Sequence, residues 1–322
     1  METRILNGTG LHTSRLALGT MTFGSQADQS GACQMVQRAL DVGITHYDTA
    51  NAYADGEAER LLGKALGSRR QEVLVASKLF NPMGPGPDDR GLSPAAIRKA
   101  IDGSLSRLGT DYLDLYYLHQ PDPSVPIEES LGAMTELVHA GKVRNVGASN
   151  YAAWQLAEMR HIAIERDYTS PMVSQVMYNL IARRVEDEYL SCAHNYGVST
   201  VVYNPLAGGL LTGKHSAWST LPEGGRFSNP AYRERYWTPS QFDAVDRLRA
   251  IADGVGMSLV ELSLRWLLAQ DAVDSVIIGA SSLSQFETNV AAALGNGLDP
   301  GTLAACDDVW SDLNGPTPRY NR

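Results

Sequence analysis

The 322-residue sequence contains only three cysteines, Cys33, Cys192 and Cys306. They are widely spaced, odd in number and without a CxxC pair, which argues against a disulfide framework and against a zinc site. The N-terminus lacks the apolar core of a signal peptide, and no apolar run approaches the ~20 residues that span a bilayer. These shortages predict a cytoplasmic protein with no membrane partner.

Basic residues are too few to indicate a nucleic-acid partner. Lys and Arg number 27 against 36 Asp and Glu, a formal net charge of -9, whereas phosphate backbones are bound by basic surfaces. An anionic cofactor needs only a few local cations and backbone N–H groups, so it is not excluded. The sequence also lacks the GxGxxG fingerprint of the dinucleotide-binding βαβ unit.

Short β-rich runs alternate with longer amphipathic stretches along the whole chain. The predicted strands are 16–18, 44–48, 73–78, 113–119, 143–149, 173–177, 200–203 and 276–278. The predicted helices are 31–43, 58–66, 93–108, 127–140, 152–166, 186–194, 242–254, 259–269 and 284–293. Ser93 and Pro94 are typical of a helix start, as N-cap and first helical residue.

Eight strands alternating with helices predict an α/β fold with a parallel sheet. Right-handed crossovers favour its closure into a (β/α)8 TIM barrel, and a doubly wound open sheet is the alternative. No shift in composition marks a second domain, so residues 1–322 are expected to form one. A long connection follows the seventh strand, from about Asn204 to Ser240, and loops of this length are usually functional or mobile; a plain surface excursion is the other interpretation.

Four polar residues lie at or just beyond the ends of the predicted strands, where barrel enzymes place their active sites. They are Asp48, Tyr53, Lys78 and His119. Taken singly, Asp48 has an ordinary interpretation as a turn former, Tyr53 as a surface aromatic and His119 as a core histidine. Because all four residues lie at the same end of the barrel, a catalytic role is favoured. An ammonium beside a phenol stabilises the phenolate and makes the phenol a better acid. The set therefore suits proton donation to a carbonyl oxygen while a cofactor supplies hydride.

The same residues lie in motifs that resemble the aldo-keto reductases. The stretch GITHYDTANAY, residues 43–53, resembles the signature of that family, and Lys78 in VASK and His119 in YYLH match the rest of its tetrad. LALGTMTFG, GKVRNVGASN, YNPLAGGLLTGK and IIGASSLSQFETN extend the similarity in order along the chain. GLSPAAI and GASSLSQ are most similar to the branch of potassium-channel β-subunit-like and bacterial general-stress-like reductases.

The resemblance implies an NADPH-dependent carbonyl reductase with Tyr53 as general acid. It assigns Ser149, Asn150 and Gln175 to the nicotinamide carboxamide and Tyr203 to the nicotinamide ring. The remaining implied cofactor residues are Leu206, Gly208, Leu210, Lys214 and Arg226 at the pyrophosphate and Gly279, Ser281, Ser282, Gln285 and Asn289 at the adenosine end. From the residues alone, Asn150 is equally a helix cap, and a core position is the less favoured alternative for Tyr203.

Two features depart from the family pattern. Thr288 stands where related members often carry Glu before the last Asn, which puts the adenine contacts in doubt. Many members carry Arg or Lys near the 2′-phosphate, where this chain has Ser281, Ser282 and Gln285. NADPH is favoured over NADH, but the strictness of that preference stays open.

Candidate substrate-contacting residues are those just beyond strand ends, where apolar and aromatic lining is normal for a ligand pocket. They are Met21, Phe23, Phe80, Asn81 and Tyr178, alongside Tyr53. The partner they predict is a small carbonyl compound. The physiological substrate, the preferred direction and whether the protein forms a homo-oligomer are left open by the sequence.

Two other functions compete with the reductase. The resemblance to channel subunits suggests a nucleotide-binding regulatory subunit, but mammalian members of that branch lack His at the position of His119, so its presence favours an enzyme. A metal-dependent barrel isomerase or hydrolase needs converging His and carboxylate ligands. His119 and Asp48 alone do not make such a site, and no metal is expected.

Overall fold

The computed structural model describes residues 1–215 and 217–316 and contains a closed barrel of eight parallel strands. Two short antiparallel strands, β1 (Thr3–Ile5) and β2 (His12–Ser14), precede the barrel. The barrel strands, in chain order, are β3 (Leu16–Gly19), β4 (His46–Asp48), β5 (Leu74–Leu79), β6 (Leu113–Leu118), β7 (Val143–Ser149), β8 (Val173–Met177), β9 (Ser199–Tyr203) and β10 (Ser275–Gly279). β10 pairs with β3 and closes the ring, which confirms the predicted (β/α)8 barrel and excludes the open sheet.

Helices follow the strands as the alternation predicts. They are α1 (Gln29–Asp41), α2 (Glu57–Leu66), α3 (Pro94–Leu108), α4 (Ile127–His139), α5 (Ala153–Arg166), α6 (Tyr189–Asn195), α7 (Pro230–Tyr236), α8 (Pro239–Gly254), α9 (Leu259–Leu268), α10 (Leu283–Ala293) and α11 (Pro300–Asn314). Ser93 caps α3 by accepting a hydrogen bond from the Ala96 amide, with Pro94 in the first turn. None of the described helices is long and apolar enough to cross a membrane.

The barrel interior is filled by alternate residues of its strands, because successive side chains of a strand point to opposite faces. Buried Ala76, Tyr117 and Val201 belong to this core. Gly147 of β7 faces Tyr117, whose ring atom Cδ1 would lie 2.4 Å from a Cβ at this position. Glycine is therefore required there to admit the aromatic ring. Leu6, between the two short N-terminal strands, is fully buried in the same cluster.

The described residues form two compact units. The first comprises Met1–Val176, Val185–Tyr203 and Ala272–Glu287 and holds the N-terminal strands and the barrel. The second comprises Met177–Arg184, Asn204–Asp271 and the described part of Thr288–Arg322. Within the second unit, Tyr178 packs edge-on against Trp266, and Arg183 lies over the same indole ring and pairs with Asp307. Whether residues 1–322 behave as one domain stays a prediction.

Several boundaries and elements differ from the sequence-based expectation. The connection after β9 is not structureless, because it contains a 3-10 segment at Ala207–Thr212 and helix α7, whose N-cap is Asn229. α8 begins three residues earlier than predicted, where Thr238 caps it and Pro239 opens it. The predicted helix at 186–194 begins only at Tyr189. The N-terminal strands and α11 were not predicted.

Candidate active site

Polar residues occupy the last inward positions of the barrel strands, above the apolar core. On β5 the inward series runs from Leu74 through Ala76 to Lys78, because the first two belong to the core cluster. The same alternation leads to the residues at or directly after the other strand ends. These residues are Gly19, Asp48, His119, Ser149, Gln175, Tyr203 and Gly279. The fold therefore collects side chains from distant parts of the sequence at one end of the barrel.

Lys78 lies at the centre of this group and is completely buried. Its Nζ donates to Oδ1 of Asp48 at 2.5 Å, to the carbonyl of Thr49 at 2.7 Å and to the Tyr53 hydroxyl at 3.4 Å. Burial alone would lower the pKa of Lys78, but the Asp48 carboxylate and the Tyr53 hydroxyl outweigh it and raise that pKa above its ordinary value. Its partners therefore favour the ammonium form of Lys78.

Asp48 is held on both of its carboxylate oxygens. Oδ1 accepts from Lys78, and Oδ2 accepts from Nε2 of Gln175 at 2.7 Å. A buried ion pair adds little net stability, whereas loss of one partner leaves an uncompensated charge and costs roughly 3–5 kcal/mol. The Lys78–Asp48 pair is thus better explained as a device that fixes an ammonium in place than as a source of stability.

Tyr53 reaches Lys78 from the loop after β4. It begins a 3-10 turn, Tyr53–Gly56, and its side chain is half-buried. The Lys78 Nζ lies 5.1 Å from the centroid of the Tyr53 ring as well as 3.4 Å from its hydroxyl. Tyr53 is therefore the member of the group that combines contact with the ammonium and access to solvent.

The imidazole of His119 stands beside the phenol. The two ring centroids are 6.2 Å apart at an interplanar angle of 76°. Burial, and after it the charge of Lys78, lowers the pKa of His119 to about 3, so the ring is neutral near neutral pH. Within the described part of the chain, its Nδ1 is shielded from solvent and has no hydrogen-bond partner. A neutral imidazole can orient a substrate oxygen but does not supply a charge.

Comparison with known proteins agrees with this geometry. Residues 15–311 match the aldo/keto reductase family. The chain belongs to this family. It is 36% identical to "Aflatoxin B1 aldehyde reductase member 2" of Rattus norvegicus, over 99% of this chain and 90% of that protein. It is 37% identical to "Probable voltage-gated potassium channel subunit beta" of Oryza sativa subsp. japonica, over 91% of each chain.

A bacterial relative is similar over nearly the same length. The chain is 33% identical to "Uncharacterized oxidoreductase YrpG" of Bacillus subtilis (strain 168), over 99% of this chain and 98% of that protein. Aldo/keto reductases are oxidoreductases of carbonyl compounds that generally use a nicotinamide cofactor, usually NADPH. Family membership therefore supports an enzyme that acts on a carbonyl compound.

The strand ends beside His119 are tied together by Asn150. Asn150 adopts a left-handed backbone with φ of 63°. Its Nδ2 donates to the carbonyl of His119 at 2.9 Å and to Ser149 Oγ at 3.0 Å, and its Oδ1 accepts from the Tyr203 hydroxyl at 2.6 Å. The alternative that Asn150 caps the next helix is wrong, because Ala152 is the N-cap of α5. Tyr203 is half-buried and packs against the barrel core. Part of its ring therefore belongs to the core, and the rest is accessible.

The residues assigned to the adenosine end form a local cap at the start of α10. The amide and hydroxyl of Ser281 donate to Oε1 of Gln285 at 2.8 and 3.0 Å. The Gln285 amide in turn donates to Ser282 Oγ. Gly279, Ser281, Ser282 and Gln285 are exposed, and Asn289 is buried. Their role toward a nucleotide stays a prediction.

The residues assigned to the pyrophosphate lie in the second unit. Gly208 has φ of 68°, and its amide donates to Oδ1 of Asn204 at 2.7 Å. Lys214 is exposed and forms no ion pair with a described residue, while Arg226 donates to the Tyr232 hydroxyl. Leu206 is half-buried and Leu210 is buried. The loop therefore carries a positive charge, that of Lys214, which no described carboxylate neutralises.

The five candidate substrate residues differ in accessibility. Met21 is exposed, and Phe80 and Asn81 are half-buried, so all three offer surface to a ligand. Phe23 is completely buried in the first unit, and Tyr178 is 1% exposed in the second. In the described conformation these two aromatic side chains offer almost no surface to a ligand. Their contact with a substrate stays a prediction.

Two contacts of the site could not be inferred from the sequence. The Thr49 carbonyl that accepts from Lys78 is a backbone group, so residue type does not reveal it. The bond from Gln175 to Asp48 joins residues 127 positions apart, and only the barrel closure brings them together. Among residues 1–215 and 217–316, no three His, Cys, Asp or Glu side chains are grouped so that they could hold a metal ion.

Proposed function

We propose that this chain is an NADPH-dependent reductase that converts an aldehyde or ketone to an alcohol, with Tyr53 as general acid. The observation that carries the proposal is the buried Lys78 ammonium, which contacts both Asp48 and the Tyr53 hydroxyl. NADPH, when bound, supplies the hydride, which no amino-acid side chain can provide. The residues of the chain supply the proton and the positioning.

Tyr53 donates its hydroxyl proton to the carbonyl oxygen as negative charge develops there. The phenolate left behind is stabilised by the Lys78 ammonium, because opposite charges attract strongly in a site removed from water. Asp48 keeps Lys78 charged and in place through the 2.5 Å contact. A positioned general acid contributes on the order of 10²–10⁴-fold in rate.

His119 orients the carbonyl rather than donating the proton. Its pKa of about 3 makes imidazolium a rare species at neutral pH. The neutral ring has one N–H group that can donate to the substrate oxygen, close to the Tyr53 ring. This contact would hold the oxygen within reach of the phenol while the proton moves.

The residues present fit a nicotinamide nucleotide. In the barrel unit, Ser149, Gln175 and Tyr203 give hydroxyl and amide groups and a half-buried aromatic ring at neighbouring strand ends, which suits a neutral amide-bearing ring. In the second unit, exposed Lys214 forms no ion pair with a described residue, which suits a diphosphate. We assign the three barrel residues to the nicotinamide, and the role of Lys214 toward a diphosphate is a separate expectation from the family resemblance.

The preference for NADPH over NADH rests on hydroxyl and amide groups rather than on an arginine. Ser281 and Ser282 directly precede α10, Gln285 lies in its first turn, and all three are exposed. Helix N-termini favour anions because their first amides point outward. We therefore expect a preference for the 2′-phosphate that is moderate, and measurable by comparing kcat/KM with the two cofactors in parallel.

A second candidate is a nicotinamide-nucleotide-binding regulatory subunit with little turnover. The similarity to a protein named as a potassium channel β-subunit favours it. The complete group of Asp48, Tyr53, Lys78 and His119 favours the enzyme, because a binding protein has no need of a buried ammonium beside a phenol. Tight NADPH binding without oxidation by any carbonyl tried would support the regulatory function.

Single-turnover oxidation of bound NADPH by 4-nitrobenzaldehyde tests the proposal. We expect wild type to oxidise it, and Tyr53→Phe to bind NADPH normally but to react about 10²–10⁴-fold more slowly. Tyr112→Phe is the matched control, since its ring packs against Arg70 and Arg144 on the first unit without touching Lys78. Near wild-type chemistry in Tyr53→Phe would remove Tyr53 from the mechanism.

A further inference from the structure

The backbone directly after Tyr53 is strained. Ala54 and Asp55 have φ/ψ of 48°/45° and 53°/38°, and Gly56 follows with φ of 87°. A left-handed conformation costs a non-glycine residue roughly 1–2 kcal/mol. Strain of this kind persists only where the surrounding structure imposes it. Something must therefore hold the turn that carries Tyr53.

The side chain of Arg107 of α3 lies against this turn. A Cβ on Gly56 would lie 2.6 Å from Cδ and 2.8 Å from Nε of Arg107, so the backbone of the turn lies directly against this side chain. Ala54 also lies near Gly24, since a Cβ on Gly24 would be 3.2 Å from the Ala54 Cβ. The position of Arg107 thus limits where the Tyr53 turn can lie.

Arg107 is in turn fixed by a completely buried carboxylate. Its Nε donates to Oε2 of Glu59 at 2.7 Å, and the guanidinium also contacts Ser104. The other oxygen of Glu59 accepts from Ser77 Oγ at 2.5 Å. Glu59 lies in the first turn of α2, which begins directly after the strained residues. One carboxylate therefore joins α2, α3 and β5.

The two ends of this network are adjacent to the two partners of the proton transfer. Ser77 immediately precedes Lys78 on β5. Gly56 lies three residues after Tyr53 in the same 3-10 turn. Displacement of Glu59 or Arg107 would consequently change the distance between the Tyr53 hydroxyl and the Lys78 ammonium, which is 3.4 Å.

We infer that Glu59 and Arg107 form a positioning pair that sets the Tyr53 hydroxyl against the Lys78 ammonium by holding the strained Ala54–Gly56 turn. The catalytic consequence rests on the proposed function, but the placement of Tyr53 does not. Neither residue touches the reacting atoms. Burial of a charge pair contributes little net stability, which favours a role in specifying geometry.

The chain offers a matched control in a second buried carboxylate. Asp114 of β6 accepts from Arg70 and Arg144, both at 2.8 Å, and from the amide of Val75 on β5. Like Glu59, Asp114 pairs with arginine and accepts a hydrogen bond from a residue of β5. Val75 and Asp114 lie near the starts of their strands, away from Tyr53. Asp114→Asn reports the cost of losing such a carboxylate without moving the turn.

The first experiment measures the environment of Tyr53 without cofactor. Protein labelled with ¹³C at tyrosine Cζ gives one resonance that is absent from Tyr53→Phe. We expect Glu59→Gln to shift and broaden this resonance, because the amide cannot accept from both Ser77 and Arg107 while matching the carboxylate geometry. Asp114→Asn should leave it in place. Arg107→Lys, which keeps the charge but not the planar contact, should shift it less.

The second experiment measures turnover. In Glu59→Gln we expect kcat about 10-fold lower or more, since misplacement by about 1 Å can cost on the order of 10²-fold, with little change in KM for NADPH. The solvent deuterium isotope effect on kcat should rise, because proton donation becomes slower. Asp114→Asn should keep wild-type kcat and isotope effect at temperatures well below its Tm.

A pair of glycine variants keeps the inference testable if Glu59→Gln does not fold. Gly56→Ala adds a methyl against Arg107, whereas Gly109→Ala has a similar positive φ of 65° and nothing within 4 Å of the added Cβ. Gly56→Ala should reproduce the shift of the Tyr53 resonance and the loss of kcat, and Gly109→Ala neither.

An unmoved Tyr53 resonance in Glu59→Gln or Gly56→Ala would overturn the positioning role. Equal losses of kcat in Glu59→Gln and Asp114→Asn would do the same. Failure of wild type to oxidise NADPH with any carbonyl would instead contradict the proposed function, and the resonance would still decide whether the pair positions Tyr53.

Discussion

The side-chain amide of Gln175 donates from Nε2 to Oδ2 of Asp48 over 2.7 Å. The carboxylate that holds Lys78 is thus itself held by a residue from β8, across the barrel interior from β4. Nothing in the local sequence around Asp48 requires this partner. Its consequence is that Gln175, assigned by family resemblance to the nicotinamide, also holds the partner of the Lys78 ammonium.

Gln175→Leu should weaken both roles. The buried Oδ2 of Asp48 would lose its donor, an unsatisfied group that costs about 1–3 kcal/mol, and we expect lower kcat together with weaker NADPH binding. Gln37→Leu is the control, because Gln37 makes the same type of bond to Asp41 on an exposed helix surface. Chemical denaturation, cofactor titration and steady-state kinetics should all separate the two variants, and equal behaviour would contradict the assigned role.

The fold was predictable because its signals are local and periodic. Each barrel strand was expected within about two residues of its place, since buried β-rich runs and helix signals such as Ser93-Pro94 depend on adjacent residues. The N-terminal strands were missed because Thr3–Ile5 is mostly exposed and contains no apolar run of the kind that marks a buried strand. Helix α11 was missed although Asp299 and Pro300 mark its start.

The candidate site was predictable only to the level of residue identity. Asp48, Lys78 and His119 follow strand ends, so the barrel brings them together without further information. Their electrostatics were not predictable, because the low pKa of His119 depends on burial and on the charge of Lys78. The support of Tyr53 by Arg107 depends likewise on helix packing that no short motif encodes.

Gly208→Ala should weaken NADPH binding. Gly208 has φ of 68°, and an added Cβ would lie 2.8 Å from Cδ1 of Tyr232, a neighbour of Arg226 in the same loop. Gly224→Ala shares the positive φ of 82° but has nothing within 4 Å of its Cβ. In a fluorescence titration we expect Kd to rise about 10-fold, or 1.4 kcal/mol, for Gly208→Ala alone. Equal Kd values for the two variants would show that Gly208 does not contribute to cofactor binding.

The stability of the protein should fall as the pH drops below about 6.5, the ordinary pKa of histidine. Burial, partly opposed by Asp48, lowers the pKa of His46 to about 4, and burial with the Lys78 charge lowers that of His119 to about 3. The unfolded chain takes up these protons first, so stability is fully present above pH 6.5 and declines toward pH 4. Each histidine contributes a slope on the order of 1 kcal/mol per pH unit.

Urea unfolding at a series of pH values between about 7 and 5 checks this dependence. His46→Leu should show a smaller slope than wild type, since one titrating group is removed. His161→Gln is the control, because the His161 side chain is 82% exposed and its replacement should leave the slope unchanged. A slope in His46→Leu equal to that of wild type would show that His46 binds protons equally in both states.

Gly63→Ala should destabilise the protein through the contact between α2 and α3. A Cβ on Gly63 would lie 2.1 Å from the carbonyl oxygen of Leu108, and a backbone oxygen cannot move aside as a flexible side chain can. Overpacking of this kind costs about 1–3 kcal/mol. Because α2 follows the Tyr53 turn, a lower kcat should accompany this loss of stability.

Gly254→Ala is the matched control, since Gly254 ends α8 with nothing within 4 Å of an added Cβ. There the better helix propensity of alanine should raise stability by up to about 1 kcal/mol. Chemical denaturation of both variants measures the difference, and a Gly63→Ala variant as stable as Gly254→Ala would mean that the two helices can separate without cost.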